Sequence, residues 1–136
     1  LVAITPGAGF VEILPAMLIG FVGGIVCYGG VLLKNKFGYD DALDVVGIHG
    51  LGGTWGALAT GLFACAAVNG ADGLFYGNPK QVWIQLVSIV GTWVFVYIMT
   101  RIILFVVNAT VGLRVAPEEE FTGLDLGEHN ERGYSL

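Results

Sequence analysis

DVVGIHGLGGTWGALATGLFACAAVNGA, Asp44 to Ala71, is the stretch on which the reading of the chain turns. After Asp44 no Asp, Glu, Lys or Arg occurs before Asp72, yet an imidazole, His49, sits among the glycines and apolar side chains. Soluble core helices rarely hold more than about 14 apolar residues in succession, whereas about 20, at about 1.5 Å rise each, cross a hydrocarbon layer of about 30 Å. The stretch therefore reads as a membrane helix. What a titratable side chain does inside it is the question the rest of the sequence must answer.

Composition points the same way on both sides of this stretch. The chain has 136 residues, 55% hydrophobic and 12% charged, against about 25% charged in ordinary soluble domains. Its mean hydropathy is +0.77, and between Val82 and Val107 the only charge is Arg101. Three spans can be laid out, roughly 10–33, 41–67 and 82–112, separated by the turn-rich segments KNKFGYDD and NGADGLFYGNPK. The expected fold class is all-α and polytopic. Glu12 and Pro15 fall in the opening turns of the first span, where proline is tolerated and a carboxylate suits the helix dipole. Cys27 and Cys65 lie inside apolar segments and read as small buried thiols.

Most of the net charge of -5 comes from Glu118, Glu119, Glu120, Asp125, Glu128 and Glu131. Acidity thus belongs to a tail, residues 113–136, and no basic, aromatic-laced surface for nucleic acid is present. Pro117 with three glutamates after it predicts a short helix start, and Gly123, Gly127 and Gly133 break the remainder of the tail into short pieces. A tail of about 25 residues cannot build its own core, so it reads as a docking segment, with His129 solvated within it. Lys34, Lys36, Arg101 and Arg114 fall on one side and Lys80 on the other, which puts the Lys34 loop and the tail in the cytoplasm. Arg101 reads as an interfacial anchor. The opening LVAITPGAGF has no initiator Met and no signal-peptide pattern; it reads as the end of an earlier apolar segment, which implies an N-terminal truncation.

On a helix His49 shares a face with Gly53, Gly56 and Thr60, and a second track of small residues runs Gly53, Ala57, Gly61. Gly20 and Gly24 offer another on the first span. Such tracks let membrane helices approach closely. Eight residues beyond Asp41, His49 lies about 12 Å into its span, too deep for a short side chain to reach the interface. It is either a structural, neutral histidine bonded to a neighbouring helix or a functional one facing a cavity; a neutral imidazole can donate one hydrogen bond and accept another. Asp40, Asp41 and Asp44 stand at the helix start, where they cap exposed N–H groups or hold a cation near a mouth. No metal-ligand spacing, phosphate-cradling loop or nucleophile–base arrangement occurs, so neither enzyme chemistry nor a cofactor or metal is expected.

DDALDVVGIHGLGGTWGALATGLFA, Asp40 to Ala64, together with TVGLRV and GLDLGEH, resembles the ammonium transporter (Amt/Mep/Rh) family, specifically its Amt branch. The resemblance implies a fold of eleven transmembrane helices, one to five and six to ten forming inverted repeats, assembled as a homotrimer in the cell membrane with one pore per subunit. This chain would supply helices nine to eleven and the cytoplasmic tail. By the same resemblance, His49 is the second of a twin-histidine pair lining the pore, its partner lying on helix five. Asp41 matches an aspartate at the cytoplasmic end of helix ten, and Asp44 and Val45 match positions toward the inner mouth. The implied function is passage of ammonia derived from ammonium, with methylammonium as analogue. An ammonium sensor on the same fold and a helical module without transport role are the alternatives. The family's tail resembles GLDxxxHGExAY, where Gly123 to Tyr134 here read GLDLGEHNERGY; Asn130 and Gly133 depart from it, and the segment is expected to meet a PII-type regulator.

Overall fold

A computed structural model describes residues 1–134, and every element among them is helical. Four of these elements build the part of the chain that carries His49. α1 runs Ile13–Phe37, α2 Gly52–Phe63, α3 Ala66–Asn69 and α4 Lys80–Thr110; a 3-10 helix, Val2–Gly7, precedes them. The tail adds α5, Pro117–Thr122, and α6, Leu124–Gly127. The chain divides into two compact units, Leu1–Trp93 and Val94–Leu136, with the boundary inside α4.

Local chemistry sets each boundary. Glu12, in extended conformation, precedes α1, and Pro15 falls in the first turn, where its missing N–H costs nothing. At the other end Gly38 takes the left-handed conformation, φ 67°, and its N–H donates to the Lys34 carbonyl at 2.8 Å. Lys34 and Lys36 then sit in the last turn, where the helix dipole favours cations. α4 starts after Pro79 and ends before Gly112, φ 82°.

The second span differs from the continuous helix expected over 41–67. It starts only at Val46, as a π-helical turn, Val46–Leu51, which passes into α2 and stops at Ala64 in extended backbone. The Asp41 carboxylate accounts for the late start: its two oxygens accept the N–H groups of Val45 and Val46, both at 2.9 Å. Beyond Phe63 the main chain leaves the helix because the Cys65 N–H donates to Phe10 O at 2.9 Å and the Gly73 N–H to Ala64 O at 2.7 Å. The outer connection is tied by Asp72, whose carboxylate accepts the Ala66 N–H and whose carbonyl accepts from the Asn78 amide. Phe63 and Phe75 pack there with ring centroids 5.0 Å apart.

α2 lies between α1 and the first half of α4 and runs antiparallel to both. Trp55 Nε1 donates to Ile19 O at 3.0 Å, near the start of α1, while the Gly47 backbone meets Gly30, near its end. On the other side Gly61 faces Val82 and Gln85, and Gly50 faces Trp93. The core is small: Ala3, Ile19 and Ala59, with Ile4, Val11, Trp55 and Phe63 packed against it.

Outside that core the apolar surface is open. Leu14, Met17, Phe21, Ile25 and Tyr28 of α1 are exposed, and no residue of α4 is buried. Both helices are long and apolar enough to cross a membrane, and only 17% and 0% of their most apolar windows are buried. A core helix of a soluble protein passes the same length test, but it would be mostly covered. These two are not, and lipid or further apolar helices are the surroundings that suit them.

Candidate functional site

The turn that carries His49 is built by close backbone contact with α1. A methyl group at Gly30 would lie 2.7 Å from Gly47 Cα, and one at Gly52 would lie 2.7 Å from Cys27 Sγ. Glycine is required at Gly30, where the close atom is main chain, and a side chain at Gly52 would force the Cys27 thiol to move. One turn before Cys27, a methyl at Gly23 would meet the Ala3 side chain at 2.5 Å. Cys27 uses its thiol as well as its size: Sγ donates to Ile48 O at 3.6 Å. In a π-helical turn the wider winding loosens the usual carbonyl pairing, and here a side chain from the neighbouring helix takes up one of the carbonyls. Thr54 takes another, its hydroxyl donating to Gly50 O at 2.7 Å while accepting from Trp93 Nε1 at 3.0 Å.

One side of the turn is held by α1 and another by Trp93, and neither covers the imidazole of His49. It is exposed, as is Val45 four residues earlier, 47% accessible. Among the described residues no side chain or main-chain group hydrogen-bonds the imidazole. A histidine that packed this chain together would be covered and paired. His49 and Val45 instead form an open strip on a side of the turn left exposed among the described residues.

Of the small residues expected to share the histidine's face, Gly56 comes closest to another backbone: a methyl there would lie 2.2 Å from Ala3 O. At Gly61 it would lie 3.1 Å from Val82 Cα. Gly53, one turn from His49, has open space where a methyl would go. Gly20 and Gly24 are open too, so the close face of α1 is Gly23, Cys27 and Gly30. The sequence reading missed this face because it sought glycines four apart; a spacing of seven, two full turns, marks the same side of a helix.

The carboxylates divide their work. Asp41 caps the turn through Val45 and Val46, and Asp44, in the left-handed region at φ 55°, forms an ion pair with Lys34. Lys34 Nζ also donates to the Asp41 carbonyl at 3.1 Å. On the opposite side of the first unit Tyr76 donates its hydroxyl hydrogen to Glu12 at 2.8 Å. That bond to a carboxylate, with lesser desolvation, pushes the phenol up to about 12. Cys27 and Cys65 are free thiols, Cys65 buried. Among the described residues no three His, Cys, Asp or Glu side chains are grouped to hold a metal ion.

The tail is organised by two groups. Arg114 grips Glu120 with Nε at 3.1 Å and Nη2 at 2.5 Å, and this holds the Glu120 carboxyl below its ordinary value. Asp125 accepts the N–H groups of Gly133 and Leu126, both at 3.0 Å, which lower its carboxyl likewise. Asn130 sits at φ 51°, a conformation that asparagine tolerates better than most residues after glycine. His129 is exposed.

Comparisons with known proteins agree over nearly the whole chain. A family model described as Ammonium Transporter Family matches residues 1–134. The chain is 56% identical over 137 aligned residues to an ammonium transporter of Bacillus subtilis, covering 98% of this chain and 34% of that one. To ammonium transporter Amt1 of Archaeoglobus fulgidus it is 45% identical, over 99% of this chain and 34% of the relative. The crystal structure of Saccharomyces cerevisiae Mep2 superposes with a TM-score of 0.78 at 37% identity, over 85% of this chain and 28% of that one. The chain therefore spans about a third of the length of the relatives it matches.

Proposed function

Because the chain belongs to the ammonium transporter family, we propose that it forms one wall of a conduit that passes ammonia, derived from ammonium, across a cell membrane. In this reading it is the C-terminal portion of an Amt-branch subunit, helices nine to eleven of eleven, and the subunit assembles as a homotrimer. The observation that carries the reading is the open strip of His49 and Val45, on a turn held by Gly30, Cys27 and Trp93 and left exposed among the described residues. Such a strip suits the wall of a pore whose other walls come from elsewhere in the protein.

The chemistry rests on the cost of charge in a low dielectric. Carrying a bare cation through an apolar passage is expensive, whereas neutral ammonia passes at little cost. Ammonium sheds its proton at the outer face, and ammonia then moves past two imidazoles. In its neutral form the His49 imidazole accepts one hydrogen bond and donates another, replacing the water that the solute has lost. Potassium cannot shed its charge and is excluded. Val45, one turn toward the inner end, keeps the passage apolar. The tail, residues 113–136, lies in the cytoplasm on this reading, where it serves a PII-type regulator.

The test is His49→Ala in the complete protein, with methylammonium uptake measured at matched amounts in the membrane. Uptake should fall about tenfold or more, equivalent to about 1.4 kcal/mol in the barrier, with trimer assembly unchanged. Undiminished uptake that still excludes potassium would overturn the pore role.

A further inference from the structure

The start of the His49 turn is clamped from two directions. From within, both oxygens of the Asp41 carboxylate are occupied by the N–H groups of Val45 and Val46. From outside, the last turn of α1 delivers Lys34, whose ammonium reaches the Asp41 carbonyl at 3.1 Å and pairs with the Asp44 carboxylate. The two side chains are only 18% and 30% exposed, so the pair is partly withdrawn from water. Asp44 sits in the left-handed backbone region, φ 55°, which aspartate enters more readily than most residues other than glycine and asparagine and which its contacts then hold. Its carbonyl accepts the Ile48 N–H at 2.9 Å, so the residue gripped by Lys34 is bonded directly into the π-helical turn. From there to His49 is a single peptide step.

We infer that Lys34 is a positioning residue for His49. Its ammonium holds Asp44 in the left-handed conformation, sets the register at which the turn begins, and so aims the Val45 and His49 side chains into the open strip. The pairing also consumes the charge of Asp44, while Asp41 is taken up by backbone donors. Capping, one of the two roles the sequence left open for these carboxylates, accounts for the contacts of Asp41. The inference rests on the reading of His49 as a pore residue.

The experiment uses the complete protein and four variants: Lys34→Met, which keeps the stem and removes the charge, Asp44→Asn, the double variant, and Lys34→Arg. Methylammonium uptake is measured as maximal rate and apparent KM, with potassium exclusion, at matched amounts in the membrane. Each single neutral variant should lose about tenfold in maximal rate, since displacing a reacting group by about 1 Å can cost about 100-fold. Apparent KM should stay within about twofold, because the outer recruitment step is untouched. The double variant should be no worse than either single one, as expected for two groups acting as a unit, and Lys34→Arg should recover most of the rate. Losses that multiply in the double variant, or wild-type rates in Lys34→Met, would overturn the inference. If Lys34→Met does not accumulate, Asp44→Asn, which retains the side-chain shape, decides by the same criterion of rate. His49→Ala in the same assay separates the two levels. If it abolishes uptake while the Lys34 variants do not, only the positioning role fails; if it too is without effect, the pore reading itself has failed.

Discussion

Tyr76 and Asp125 show at the level of single side chains how the fold moves proton equilibria. Tyr76 keeps its proton because the hydroxyl donates to Glu12, and its value rises from the ordinary 10.0 to about 12. A raised value means that the stabilisation is complete below about pH 10 and disappears as the pH climbs through about 12. Difference absorbance of tyrosinate between the protein and Tyr76→Phe should therefore show a midpoint near 12, and Glu12→Ala should return it toward 10. Asp125 runs in the other direction. Its carboxyl is lowered by the N–H groups of Gly133 and Leu126, so its contribution is present above the ordinary 3.8 and is lost as the pH falls through the lowered value. The Gly133 amide should exchange with solvent faster in Asp125→Ala at neutral pH, and faster in the unaltered protein once the medium is acid enough to protonate Asp125. An exchange rate indifferent to both would show that the carboxylate does not hold the tail.

Among the elements, two contacts leave no room for a side chain: α1 against the π-helical turn, and α2 against the 3-10 helix Val2–Gly7. A methyl at Gly30 would press on Gly47 Cα, and one at Gly56 on Ala3 O, both main-chain atoms that cannot swing aside. Gly30→Ala and Gly56→Ala should each lower the stability of the complete protein by about 1–3 kcal/mol, the usual cost of overpacking, as thermal unfolding in detergent would record. Gly20→Ala and Gly24→Ala meet nothing among the described residues and should leave these contacts undisturbed. These packing partners mark the limit of what could be read from sequence. The long helices were legible because hydropathy, Pro15, Gly38 and the lysines all act locally, within a turn or two of the boundary they set. The candidate residue His49 was legible because an ionisable group in an uncharged run is conspicuous. The π-helical turn was not, since it depends on Asp41 withholding the start of the helix and on Cys27 and Gly30 approaching from about 20 residues away in the chain. Lys34 was read only as a mark of orientation, because its partnership with Asp44 requires a left-handed residue that no local signal announced.

At the scale of the molecule, apolar side chains stand exposed along α1 and α4 while the core holds only a few small residues and one isoleucine. A chain so arranged should sediment with membranes and resist extraction at alkaline pH, whereas release by carbonate would count against a bilayer-spanning arrangement. The same openness leaves the back of the histidine turn accessible to observation. Trp93 hydrogen-bonds to Thr54, which bonds to the carbonyl of Gly50, next in the chain to His49. Indole emission shifts in colour when its N–H gains or loses a partner, so Trp93 is a native fluorophore wired to the turn. Its signal, isolated by replacing the other tryptophans of the complete protein, Trp55 and Trp83 among them, with phenylalanine, would report in real time, without an attached dye, any tilt of the His49 turn as solute arrives.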